Sequence, residues 1–283
     1  MNCLLSHEIA EQLIKRYGSP LYVFHEDEFK RNYLDLLNTF RAIYPKYNIA
    51  YSYKTNYTPA ICKIVNELGG LAEVVSDMEY RLAKRLGYED RDIVYNGPVK
   101  GKGLFEHLLN GGVANIDSLD ELEEVIAFAK MNPTTAFRIA FRVNIDIEQG
   151  FISRFGIDAY EEESIESDLD RAFAIVNKQS NISVVGLHCH IGRSRSIDAW
   201  KNRVSIIFKL VDRHFKGTIP LFIDLGSGMN SVMEPELACQ FGGHIPSFAE
   251  YASIVAEAMK ERYGQLPMDQ QPILYTEPGT TLI

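Results

Sequence analysis

The feature that most constrains this chain is an alternation. Short runs rich in β-branched and aromatic residues recur at Ile49–Tyr53, Leu71–Val75, Ile93–Tyr95, Val113–Ile116, Phe137–Val143, Ser183–His190, Leu221–Leu225 and Ile273–Glu277. Segments with helical spacing of apolar positions lie between them, at Thr58–Leu68, Asp77–Leu86, Gly103–Leu109, Leu119–Ala129, Glu161–Asn177, Ala199–Phe215 and Phe248–Tyr263. Strands separated by helices pair in parallel through right-handed crossovers. Eight of them is the count of a (β/α)8 barrel, whereas a doubly wound sheet rarely needs eight evenly spaced strands. Ahead of the beat come a helical pattern over residues 5–17, closed by Gly18, a short strand at Pro20–Phe24 and a longer amphipathic helix at Glu26–Tyr44.

Composition narrows the partners. At 283 residues and 46% hydrophobic, the chain is large enough to bury a full core. A net charge of −9 with no long basic run argues against nucleic acid or an anionic membrane as a partner. Cys3, Cys62, Cys189 and Cys239 are scattered with no CxxC pair. That excludes a disulfide framework or a structural zinc site as the organising device and suits a reducing compartment. The first residues include Glu8 and Glu11 and lack an apolar core of signal-peptide length. No run approaches the ~18 apolar residues of a membrane span, and the expected location is cytoplasmic.

In a barrel the chemistry gathers at the carboxyl ends of the strands. Those ends carry Lys54, then Glu73, Ser76 and Glu79, then Asn96, Asp117 with Ser118, Arg142 with Asn144, His188 with His190, Gly226-Ser-Gly228 and Glu277. A lysine at a strand end is by itself compatible with a solvated surface position. The convergence of a lysine, two histidines, a glycine turn and a carboxylate on one mouth is not explained by structure alone. The glycine turn reads either as a tight turn or as an anion cradle, since unhindered backbone lets N–H groups approach phosphate oxygens. His188 and His190 point the same way on their strand, but no third ligand cluster is visible, so no metal is expected. An imidazole lying flat on an aromatic cofactor would use the same position. Lys54 and Glu277 together suit pyridoxal phosphate. The lysine can hold it as a Schiff base, and a carboxylate beside the pyridine nitrogen keeps the ring an electron sink.

The chain resembles the fold-type III pyridoxal-phosphate enzymes, specifically the diaminopimelate/ornithine decarboxylase group. The resemblance runs from Gly18-Ser-Pro-Leu-Tyr-Val-Phe24 to the last residue, through Tyr53-Lys-Thr-Asn56, Glu73-Val-Val-Ser-Asp-Met-Glu79, Asn115-Ile-Asp-Ser118, Arg142-Val-Asn144, Ser153-Arg-Phe-Gly156, Gly186-Leu-His-Cys-His-Ile-Gly192 and Glu277-Pro-Gly279. It implies that Lys54 is the Schiff-base lysine and that His190 stacks on the ring. It also implies that Gly226, Ser227 and Gly228 cradle the phosphate, that Glu277 pairs with the pyridine nitrogen, and that Glu73, Glu79, Arg142 and Gly279 lie near the cofactor. The implied reaction is decarboxylation of a diaminopimelate-, ornithine- or lysine-like amino acid by a homodimer with shared active sites.

Four departures from the family pattern stand out. Arg193 replaces the serine that follows HIG, Ser227 the middle glycine of GGG, Thr280 the arginine of EPGR, and Glu73 a frequent aspartate. Arg193 is therefore a candidate to supply the charge absent at Thr280. Only six residues follow Glu277, so the expected architecture is a barrel over residues 26–283 apparently lacking the C-terminal β-domain of the family. Residues 1–25 form an N-terminal helix and strand, and that strand belongs with the β-domain in the family. A non-catalytic pyridoxal-phosphate carrier and an amino-acid racemase of the same fold are the alternative functions.

Overall fold

Large and small residues alternate along the first strand, β1 (Tyr47–Ser52). A period of two sends the sets to opposite faces. Tyr47, Ile49 and Tyr51 join the main core shared with the helices, while Ala50 packs with Leu71, Val94 and Tyr275 in a small cluster inside the ring of strands. The computed structural model describes residues 5–147, 153–159, 166–231, 235–241 and 244–283. In it β1 pairs in parallel with β2 (Leu71–Val74), β2 with β3 (Ile93–Tyr95), β3 with β4 (Val113–Ile116) and β4 with β5 (Phe137–Asn144). A two-residue strand, β6 (Ile157–Asp158), adds to the end of β5. The ring continues from β5 to β7 (Ile182–His188), β8 (Phe222–Asp224) and β9 (Ile273–Thr276), and β9 returns to β1. Eight parallel strands therefore close on themselves, which removes every open edge from the barrel.

The helices form the outer layer, because each strand's outward face is apolar and must be covered. α1 (His7–Tyr17) buries nothing, whereas α2 (Glu26–Arg41) buries Phe29, Tyr33, Leu36, Leu37 and Phe40. The rest are α3 (Pro59–Glu67), α4 (Asp77–Arg85), α5 (Gly103–Leu109), α6 (Leu119–Met131), α7 (Asp168–Val176), α8 (Ile197–Phe215), the short α9 (Pro235–Ala238) and α10 (Phe248–Tyr263). Ser76 and Ser118 sit just past β2 and β4 and accept the amides of Glu79 and Glu121. Such caps end the strand and start the helix within two residues, which keeps the carboxyl mouth tightly defined. Among the described residues no helix is long and apolar enough to cross a membrane.

The expected elements are present with ends shifted by a few residues, with two exceptions. The strand expected at Pro20–Phe24 is extended backbone without a sheet partner among the described residues, and Tyr22, Val23 and Phe24 are exposed. Its β-prone composition has no edge to join, since the barrel is closed. The helix expected over 161–177 runs from Asp168 to Val176, and residues 161–165 lie outside the described residues.

Candidate active site

The same period of two that fills the barrel with small residues brings a polar layer to its carboxyl end. Glu73, Asn96, Asn115, Arg142, His188, Asp224 and Glu277 are all buried there. A cavity of about 320 Å³ opens above them, lined by Lys54, Glu73, Asn96, Arg142, His190 and Glu277, with Phe155, Pro98, Gly192 and Arg193 on its walls.

Lys54 Nζ donates to Glu73 Oε2 at 2.5 Å. Asn96 Nδ2 donates to the other Glu73 oxygen at 2.9 Å and also to Glu277 Oε1, while Asn115 Nδ2 donates to Asn96 Oδ1 at 2.7 Å. The two carboxylates are thus spaced by one amide whose own orientation is fixed from below. Burial alone would pull the Lys54 pKa down, but the charges of Glu73 and Glu277 outweigh it and the pKa is raised. Burial works against an ionised Glu277 too, yet the charges of His188 and Lys54 hold its carboxyl well below the usual range. Its neighbour Asp224 goes the other way, pushed up by burial and by the Glu277 charge. The two carboxyls are thus pushed in opposite directions, Glu277 toward the ionised form and Asp224 toward the protonated one.

His188 Nε2 and His190 Nδ1 each lie 3.3 Å from a Glu277 oxygen. Neither contact is aligned as a hydrogen bond, which leaves Glu277 Oε2 and both His188 ring nitrogens without a hydrogen-bond partner. Ser227 N–H donates to His190 Nδ1 at 3.2 Å, so that nitrogen is an acceptor and the ring is neutral. Burial lowers the His190 pKa in the same sense. An unpartnered buried carboxylate oxygen costs about 1–3 kcal/mol until a donor reaches it.

Arg142 is held by Asp117, Nη1 to Oδ1 at 2.9 Å, and its guanidinium lies 5.0 Å from the centre of the Phe155 ring. Asp117 Oδ2 accepts the amide of Gly156. The glycine turn after β8 has φ of 60° at Gly226 and 110° at Gly228. A Cβ at Gly226 would lie 2.7 Å from Cys189 O, and one at Gly228 would lie 2.5 Å from Ile191 O. Both positions therefore require glycine twice over, for backbone angle and for space. Through Ser227 the turn adjoins the cavity at His190.

Not every expected residue lines the cavity. Glu79 accepts the amide of Val75 at 2.7 Å and so ties α4 to the end of β2. Gly279 packs against Thr55, where a Cβ would come 2.2 Å from Oγ1, and holds the end of β9 to the Lys54 turn. Arg193 does line the cavity. The carbonyl of Thr280 accepts from Ser231.

His188, His190 and Glu277 place ligand atoms within 4.8 Å of one another, so the third ligand missing from the strand itself comes from beyond β9. Two features weigh against a cation there. His190 Nδ1 is already an acceptor for Ser227, and Lys54 and Arg142 bring positive charge to the same cavity. The site suits an organic ligand that carries an acidic ring N–H and an anionic group.

Residues that the sequence did not single out support this floor. Lys100 is buried against both oxygens of Glu121 at 2.7 and 2.8 Å and donates to Gly97 O. Glu121 also accepts the Asp117 amide. Ser118-x-x-Glu121 reads as a helix-start pattern, which hides the ion pair behind it.

The pyridoxal binding domain of pyridoxal-dependent decarboxylases matches this chain over residues 30–283. The chain belongs to this family. The diaminopimelate decarboxylase of Aquifex aeolicus is 29% identical over 80% of the chain, and that of Methanocaldococcus jannaschii 28% identical over 97%. The chain spans 54% and 63% of the length of these two relatives. A crystal structure of diaminopimelate decarboxylase from M. jannaschii superposes over 97% of the chain and 64% of its own, with a TM-score of 0.79 at 27% identity. A lysine decarboxylase from Selenomonas ruminantium shares the fold, with a TM-score of 0.74 at 20% identity. The family's cofactor is pyridoxal 5′-phosphate, and the residues present fit it. Lys54 offers an amine, Glu277 Oε2 an unpartnered acceptor for a ring N–H, and the turn at Gly226–Gly228 a backbone packed closely on the His190 loop, with the Gly228 amide uncommitted.

Proposed function

We propose that this chain is the cofactor-binding barrel of an amino-acid decarboxylase, with Lys54 as the covalent anchor of pyridoxal phosphate and a diaminopimelate-, ornithine- or lysine-like substrate. The observation that carries the reading is the presence in one cavity of Lys54, paired with Glu73 at 2.5 Å, and of a buried carboxylate, Glu277, whose Oε2 has no hydrogen-bond partner. The names of the relatives, and the solved relative holding L-lysine, support the substrate class.

Bound pyridoxal phosphate supplies a sink for the electron pair left when the substrate's α-carboxyl departs as CO2. Lys54 Nζ must be neutral to form the covalent link, and Glu73 Oε2, 2.5 Å away, positions the amine and favours its ammonium form until that proton is lost. Glu277 Oε2 would accept a hydrogen bond from the protonated pyridine nitrogen, because its own carboxyl stays ionised. Arg142, fixed by Asp117, and Arg193 put positive charge where a substrate carboxylate enters. Pro98 and Phe155 wall the cavity against water. In the turn at Gly226, Ser227 and Gly228 the amide of Gly228 would hold the phosphate group, since those of Gly226 and Ser227 donate to Asp224 and His190, and neutral His190 would face the ring. Glu79 and Gly279 act one step back, by holding the ends of β2 and β9. In this reading the working unit is a cytoplasmic homodimer.

The test is CO2 release by the cofactor-loaded chain from diaminopimelate, lysine and ornithine. Release that Lys54→Ala abolishes supports the decarboxylase reading. Cofactor held on Lys54 with no CO2 from any of the three contradicts turnover by this chain and points to a carrier.

A further inference from the structure

Behind the glycine turn, on the side away from the cavity, lies a cation that the chemistry above does not use. Arg203 of α8 has no exposed surface. Its Nη1 donates to the carbonyls of Leu225 at 2.7 Å and Ser227 at 3.0 Å, and its Nη2 to the carbonyl of Ile191 at 3.0 Å. Trp200, one turn earlier on the same helix, stacks 4.3 Å from the guanidinium and donates its Nε1 to the carbonyl of Gly228 at 3.4 Å. Among the described residues no carboxylate forms an ion pair with Arg203. A buried guanidinium is expensive unless its hydrogen-bonding capacity is met. Here main-chain carbonyls of the glycine turn and of the loop after β7 engage both terminal nitrogens, while the buried Nε is left without a partner.

That arrangement has a consequence for the opposite face of those loops. In a trans peptide the N–H points away from the C=O, and the peptides here are trans. The carbonyls of Ile191, Ser227 and Gly228 turn toward Arg203 and Trp200. The amides of Gly192, Gly228 and Met229 therefore turn the other way. Among the described residues none of these three amides has a hydrogen-bond acceptor. Gly192 lines the cavity. Successive amides facing one way in a turn with positive φ form a concave anion site.

We infer that Arg203, assisted by Trp200, is the positioning residue of the phosphate site: it grips the carbonyls of the two loops from behind and so aims the amides of Gly192, Gly228 and Met229 at a phosphate monoester dianion. The inference rests on the pyridoxal phosphate reading of the cavity. Arg203 does not touch the phosphate. It acts through backbone that it orients, and its charge adds attraction from the far side of the loop. Lysine cannot replace it, since three carbonyls in different directions need a planar fork of donors rather than a point charge.

The test compares pyridoxal 5′-phosphate with pyridoxal, which has the same ring and aldehyde and no phosphate. Dissociation constants for both are measured on the full chain and on Trp200→Phe and Arg203→Lys, with inorganic phosphate as a competitor. Circular dichroism and thermal melting check that each variant is folded. Trp200→Phe keeps the ring and removes one donor, and it should weaken pyridoxal 5′-phosphate about threefold or more. Arg203→Lys should weaken it about tenfold or more. Pyridoxal should bind both variants within about twofold of wild type, and inorganic phosphate should compete less well against either than against wild type. Folded variants that lose pyridoxal and its phosphate equally, or lose neither, overturn the inference and leave the cofactor reading intact. If Arg203→Lys does not fold, Trp200→Phe alone decides by the same ratio. A wild-type chain that takes up neither compound overturns both.

Discussion

Exchanging Glu73 for Gln removes the nearest negative charge from Lys54 and leaves an amide oxygen for Asn96 to bond. At the observed 2.5 Å, two unit charges attract by about 1.7 kcal/mol at the dielectric constant of water and by about 6.6 kcal/mol at an effective value of 20. The Lys54 side chain is 35% exposed, so solvent from the cavity screens the pair and the lower part of that range applies, about 2–3 kcal/mol. Losing that attraction lowers the Lys54 pKa. The sign follows from Glu73 stabilising the ammonium form, so its removal favours the neutral amine. Since only the neutral amine attacks an aldehyde, the pH midpoint for covalent capture of pyridoxal on Lys54 should move to lower pH. The assay is borohydride fixation across a pH series, with the Lys54 peptide quantified by mass spectrometry. A midpoint in Glu73→Gln that stays put or moves upward refutes the electrostatic role given to Glu73.

Asp117→Asn leaves Arg142 buried without its counter-charge and should lower stability by about 3–5 kcal/mol in denaturant unfolding; a loss below about 1 kcal/mol would show that the pair is not the support of that wall. His214 stacks flat on Phe173 at 4.3 Å, and burial draws its pKa down to about 4. The unfolded state then binds the proton more readily, so the contribution of neutral His214 is fully present above pH ~6.5 and is lost as pH falls toward 4, by about 3 kcal/mol. Stability curves of wild type and His214→Gln should converge over that interval, and parallel curves contradict the assignment.

The barrel was legible because strands buried on both faces read as unbroken apolar runs, and because the period of two places every second residue of a strand inside. Lys54, His190 and Glu277 were legible for a related reason: each follows directly on such a run, and a polar residue at the carboxyl end of a barrel strand has nowhere to point except the mouth. What escaped depends on distances between elements remote in sequence. Nothing in Leu187-His-Cys-His-Ile191 announces that Glu277 will stand 3.3 Å from both imidazoles. Arg203 and Lys100 look like ordinary solvated charges, since the helix and loop that carry them reveal their burial only once packed on the barrel. β6 is two residues long and has no periodicity to detect. Pro20–Phe24 has β propensity but no sheet partner among the described residues, and propensity alone cannot supply the edge a strand must pair with.

The measurement closest to the central claim is an absorbance spectrum of the chain with pyridoxal 5′-phosphate, before and after borohydride, beside Lys54→Ala. A cofactor band that borohydride fixes onto Lys54, and that the variant lacks, is the predicted result. Identical spectra and no label on Lys54 would contradict it, and would leave a barrel of this family that has lost its covalent anchor.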